Sequence, residues 1–98
     1  MTIHRIQDGD TLTLGLEGRL DTTTAGELNS VIADGLPGVE KLTLDFLQLE
    51  YISSAGLRVL LIAQKLMTQR GGMQIINVNE VVGEVLEVTG FADILDIR

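Results

Sequence analysis

The segment Asp45-Phe-Leu-Gln-Leu-Glu-Tyr-Ile-Ser-Ser-Ala-Gly-Leu-Arg-Val-Leu-Leu61 starts on the period of a strand and ends on that of a helix. Just before it, Leu42, Leu44 and Phe46 alternate with Thr43 and Asp45, and the apolar positions continue through Leu47 and Leu49 as the chain leaves the strand. From Ser54 to about Arg70 strong helix formers dominate, and Gly71-Gly72 supplies the stop. On a helical wheel Arg58, Lys65 and Gln69 share a narrow polar edge, while Val59, Leu60, Ala63, Leu66 and Met67 form a broad apolar arc. A mostly buried strand therefore feeds a mostly buried helix.

Outward from this segment the same two periods recur. Ile3 to Ile6 and Thr11 to Leu16 read as strands of a hairpin turned by Asp8-Gly9-Asp10, with Leu12, Leu14 and Leu16 on one side. After Gly18-Arg19-Leu20-Asp21 the spacing of Ala25, Leu28, Val31, Ile32 and Leu36 predicts a helix. Thr24 and Glu27 stand at capping-box spacing at its start, and Pro37-Gly38 ends it. Met73 to Ile76 reads as a further strand. Asn79 caps a helix with Glu80, Glu84 and Glu87 outward and Val81, Val82, Val85 and Val88 or Leu86 inward. Ile94, Leu95 and Ile97 suggest a last short strand. The order is ββαβαβα with that final strand in addition, an α/β domain. It predicts a mixed sheet with an N-terminal antiparallel hairpin and parallel strands joined by right-handed helical crossovers.

Length and charge limit what such a domain can do. The 98 residues are expected to form one domain, residues 1–98. Seven Lys and Arg against fourteen Asp and Glu give a net charge of −7, which opposes direct contact with nucleic acid or an anionic membrane surface. No apolar run is long enough to span a bilayer, so membrane insertion is not expected. The absence of cysteine removes thiolate chemistry and disulfides, and a cytoplasmic location fits. One histidine and no tryptophan leave few acid-base or stacking groups, and no catalytic residue, metal site or cofactor is expected.

The chemistry-bearing place is the strand-to-helix joint, where Ser53 and Ser54 stand at a helix start. Unpaired backbone N–H groups and the helix dipole favour an anion there, and no acidic residue occurs between Ser53 and Arg70, so a phosphate on either serine meets little repulsion from its own helix. Serine is equally a favoured N-cap needing no further role, and Gly56 fits either a close backbone approach or a loosely wound first turn. Asp45, at a strand end, has the position of a receiver-type phosphoacceptor. A receiver also needs an acidic pair after the first strand and a strand-end lysine, whereas Asp8 and Asp10 lie in a hairpin turn and neither Lys41 nor Lys65 is so placed.

Tyr51-Ile-Ser-Ser-Ala-Gly-Leu-Arg-Val-Leu-Leu61 resembles the signature of the STAS family of bacterial anti-sigma factor antagonists. Gly18-Arg-Leu-Asp21 and the threonines after it resemble the family's second hallmark, Leu42 to Phe46 its strand before the serine, and Thr89-Gly90-Phe91 the segment after its third helix. The resemblance implies a non-enzymatic module that, unphosphorylated, binds an anti-sigma factor serine kinase and so releases a sigma factor. Phosphorylation ends the binding, and a serine phosphatase reverses it. It puts the phosphoacceptor on Ser54, with Ser53 as alternative because aspartate often precedes the acceptor in relatives. Partner contacts are expected at Asp21, Thr22, Ser53, Ala55, Gly56 and Arg58 of a domain expected to be monomeric. Asp21 either orients the serine or the partner's basic groups, or only caps the helix after it. A second implied function is an accessory module regulating a membrane transporter.

Overall fold

The computed structural model describes residues 1–34 and 36–98. Strands β1 (Thr2–Asp8) and β2 (Thr11–Leu20) form the expected antiparallel hairpin, with Ile3 opposite Leu16 and Ile6 opposite Thr13. Helix α1 (Ala25–Ala33) leads to β3 (Lys41–Asp45), which lies parallel to β2 with Leu12 beside Leu42 and Leu14 beside Leu44. A turn separates β3 from β4 (Leu49–Ile52), parallel to the far end of β2; α2 (Ser54–Thr68), β5 (Met73–Ile76) and α3 (Glu80–Val88) come next. The five-stranded sheet runs β1-β2-β3-β5, with β4 on β2. Mixed pairing and the helices joining parallel strands agree with the expected α/β architecture.

The core sits where α1 and α2 cover one face of the sheet. Leu12, Leu14, Leu16 and Leu20 of β2 meet Leu42 and Leu44 of β3 and Phe46, and α2 adds Leu57, Leu60, Ala63 and Met67, all buried. Each such leucine or phenylalanine taken out of water contributes on the order of 1.5–3 kcal/mol. The alternation read from the sequence is thus the alternation of the folded sheet. Arg58 and Lys65 on α2 and Gln69 just after it are exposed, as the polar edge predicts.

Several expectations change in detail. Helix α1 stops at Ala33, and Leu36 is buried not as its last turn but by a reversal at φ 47°. The Thr24–Glu27 capping box does not form: Thr24 Oγ1 donates to the carbonyl of Arg19 at 2.6 Å and accepts from Asp21 N–H at 2.9 Å. Leu49 belongs to a separate strand. On α3 the buried residues are Val82 and Leu86, whereas Val81 and Val88 are 57% and 80% exposed, because α3 rests on β4 through the 82/86 stripe. The last strand is reduced to one bridge, Ile97 to Ile75, behind a single 3-10 turn at Phe91–Asp93. Asn79 caps α3 as expected, accepting from Val82 N–H at 2.8 Å and donating to the Leu49 carbonyl at 2.7 Å.

Candidate functional site

The end of β2 and the end of β4 run side by side, with Arg19 opposite Tyr51 and Leu20 opposite Ile52. One residue further, Ser53 N–H donates to the Leu20 carbonyl at 2.9 Å. The two chain segments singled out in the sequence, around Asp21 and around the serine pair, are therefore adjoining loops at one end of the sheet.

Ser53 is the residue before α2, extended at φ −103° and ψ 177°, and its carbonyl accepts from Leu57 N–H at 3.0 Å. Its hydroxyl makes no cap bond and is buried without a partner among the described residues. Ser54, the first helical residue, is exposed, and no acidic side chain occurs in the first turn of α2. The two serines differ in access: one hydroxyl is enclosed, the other stands at the surface at the positive end of a helix dipole.

Gly56 is a close-approach glycine. A Cβ there would lie 2.7 Å from Leu20 Cγ and 2.9 Å from Ile52 Cγ1, so the first turn of α2 presses directly on the ends of β2 and β4. Gly56 is buried, while Arg58 and Thr22 are exposed and Ala55 partly so. The loosely wound alternative does not describe it.

Asp21 organises the other loop. One carboxylate oxygen accepts from Thr23 Oγ1 at 2.8 Å, Thr23 N–H at 3.0 Å, and Thr24 N–H and Oγ1 at 3.3 Å each. The other lies 3.6 Å from Arg19 Nε. The Thr23 hydroxyl, followed by the remaining Thr23 and Thr24 bonds, holds the carboxyl below the usual aspartate value despite some desolvation. These partners all lie in its own loop or on β2; none is Ser53 or Ser54. In the free chain Asp21 caps the turn into α1, the plainer of its two readings.

Asp45 is accounted for structurally. Its Oδ1 accepts from Leu47 N–H and from Asn77 Nδ2, both at 3.0 Å, closing the turn after β3 against the end of β5. Arg19 was not among the expected site residues, yet it stands in this loop cluster with its guanidinium 4.5 Å over the Tyr51 ring. Arg19 lies inside the Gly18–Asp21 motif, but a stack across two strands depends on a register that sequence spacing does not contain.

The mixed sheet, its N-terminal hairpin and its three helices are those of a STAS domain. The family described as Mlab, STAS domain matches residues 3–96. A Bordetella bronchiseptica protein named as an anti-sigma factor antagonist, BtrV, is 36% identical over 84 residues, covering 84% of this chain and 72% of its own. A Thermotoga maritima protein named as an anti-sigma factor antagonist superposes with a TM-score of 0.88 at 24% identity, over 97% of this chain and 84% of that one. The Bacillus protein SpoIIAA in its unphosphorylated form gives 0.84 at 17% identity, over 99% and 88%. The chain belongs to the STAS-domain family of anti-sigma factor antagonists. Among the described residues no helix is long and apolar enough to cross a membrane.

Proposed function

We propose that this chain binds an anti-sigma factor serine kinase while unphosphorylated and releases it when the kinase phosphorylates Ser54, a serine phosphatase restoring the binding form. The exposed hydroxyl of Ser54 at the start of α2, beside a Ser53 hydroxyl that is enclosed, carries this reading. A kinase must bring the acceptor oxygen in line with the γ-phosphorus, and only an accessible hydroxyl permits that without opening the loop. Kinship with BtrV supports an antagonist role over a transporter-accessory role, and the unphosphorylated form named for SpoIIAA supports phosphorylation as the control.

The release step is electrostatic. A phosphate adds about −1.5 to −2 charge near neutral pH, and a docking surface shaped around a neutral hydroxyl then meets repulsion and desolvation cost. Exposed Glu50 and the Asp21 carboxylate in the adjoining loop add to that repulsion once a partner excludes water. The helix start takes a phosphate with little rearrangement, so the domain itself stays folded. Incubation with labelled ATP and the anti-sigma factor kinases encoded in the same genome, followed by peptide mapping, is the test. Label on Ser54, lost in Ser54→Ala and kept in Ser53→Ala, is expected; label on Ser53, or none from any of these kinases, would overturn the reading.

A further inference from the structure

The contact between β2 and β4 contains one irregularity, and it governs a charged side chain. Gly18 pairs with Leu49 but Arg19 pairs with Tyr51, so the register skips Glu50. A regular continuation would set Glu50 opposite Arg19 and close an ion pair across the strands. The bulge sets an aromatic ring there instead. Bulges re-aim side chains beside functional loops in this way.

The consequence is a guanidinium held but not consumed. Its Cζ stacks 4.5 Å over the Tyr51 ring, and its Nε lies 3.6 Å from Asp21 Oδ2. Among the described residues the guanidinium makes this stack and this ion pair and no closer side-chain hydrogen bond, and the side chain is 60% exposed. A stacked guanidinium keeps its N–H edge free in a fixed plane, and that edge matches a carboxylate through two parallel hydrogen bonds. Because the ring and Asp21 already restrict the side chain, less rotamer freedom is lost when a partner arrives. The site lies on the strand ends that lead directly into Asp21 and Ser53.

We propose that Arg19 is a specificity anchor for a carboxylate on the kinase that docks over the serine loop. The inference rests on the kinase-binding reading above. With the chain at −7 overall, a carboxylate on the partner is drawn to its few exposed cations, and of the two beside the serine loop, Arg19 and Arg58, Arg19 is the one stacked on a ring, so its pair fixes orientation and choice of partner. Tyr51 acts through Arg19 and is a positioning residue.

Calorimetry with the kinase that labels Ser54, repeated across ionic strengths, tests this. Arg19→Glu is expected to weaken binding by more than about tenfold, and Arg19→Gln to weaken it less while flattening the salt dependence. Arg19→Lys keeps the charge but loses the planar fork, so it should recover only part of the loss. Tyr51→Leu should weaken binding with the charge intact, and the side-chain Nε–H resonance of Arg19 should move when kinase is added. Thermal midpoints equal to that of the parent show that the variants are folded. Wild-type affinity in Arg19→Glu would overturn the anchor while leaving the kinase reading standing. So would an Nε–H resonance that moves on phosphorylation of the free chain but not on adding kinase, which would assign the guanidinium to the domain's own phosphate. If no kinase binds the unmodified chain, both readings fall.

Discussion

Ser53 and Leu20 are joined by a single backbone hydrogen bond of 2.9 Å, and that bond makes one surface out of two loops. It brings the acceptor loop to within one residue of the Asp21 turn, and it fixes the first turn of α2 against the end of β2. Substitutions on either side of this junction should therefore have distinct effects on stability, titration and binding.

Gly56→Ala is expected to destabilise, although alanine is the better helix former. The added methyl would meet Leu20 at 2.7 Å and Ile52 at 2.9 Å in a packed core, and overpacking of this kind costs about 1–3 kcal/mol against a helical gain of about 0.5–1. Thermal unfolding reads this directly, each kcal/mol moving the midpoint by about 4–8 °C in a domain of this size. A raised midpoint would mean that α2 does not press on the strand ends.

Ser53→Ala separates a capping serine from an enclosed one. Loss of a working N-cap costs about 1 kcal/mol. Here the hydroxyl is buried with no partner, so its removal should leave stability unchanged or raise it by up to about 1 kcal/mol. A clear drop in midpoint would show that the hydroxyl is bonded in solution.

Asp21 should titrate below the ordinary aspartate value of about 3.9, and Thr23→Val should return it toward that value by removing the largest of its bonds, the Thr23 hydroxyl. The folded-state value is depressed, so the linked stability is present above the unfolded-state value and is lost as pH falls through the folded one. Carboxyl carbon shifts followed by NMR between about pH 2 and 6 give both curves. An Asp21 titrating at or above the ordinary value would contradict the turn geometry.

At Ser54 the two obvious substitutions should part company. Ser54→Ala is expected to bind kinase and resist phosphorylation. Ser54→Asp should fold at least as stably as the parent, since an acid in the first turn of a helix gains about 0.3–1 kcal/mol, yet bind the kinase more weakly. Aspartate carries less charge than a phosphate, so its effect is the smaller of the two. Titration of each variant into the kinase by calorimetry reads the difference, and equal affinities would remove charge at this position as the cause of release.

The parts of this fold that were legible in the sequence are those where one period governs several residues. Leu12, Leu14 and Leu16 alternate because one face of β2 is core, and the apolar arc of α2 is wide enough to set its orientation. Strand β4 was not legible: its four residues exist as a strand only because the turn after Phe46 returns the chain alongside Gly18 to Leu20. The apolar spacing of α1 runs on to Leu36, but burial does not require helix, and a reversed backbone puts Leu36 in the core as well. On α3, valine and leucine occur on nearly every side, so composition leaves the phase open until β4 selects Val82 and Leu86. The serine and its helix start could be read from local chemistry. The Arg19–Tyr51 stack could not, because it is created by a register shift between distant strands.

A switch at Ser54 is tested most directly with the chain carrying phosphoserine at position 54 beside the unmodified chain, each titrated into the kinase by calorimetry. Amide spectra of the two forms are compared in parallel. The phosphorylated form should bind at least about tenfold more weakly, with matching spectra away from the serine loop and α2. Equal affinities, or spectral changes running through β2 and β3, would contradict a local electrostatic switch at Ser54.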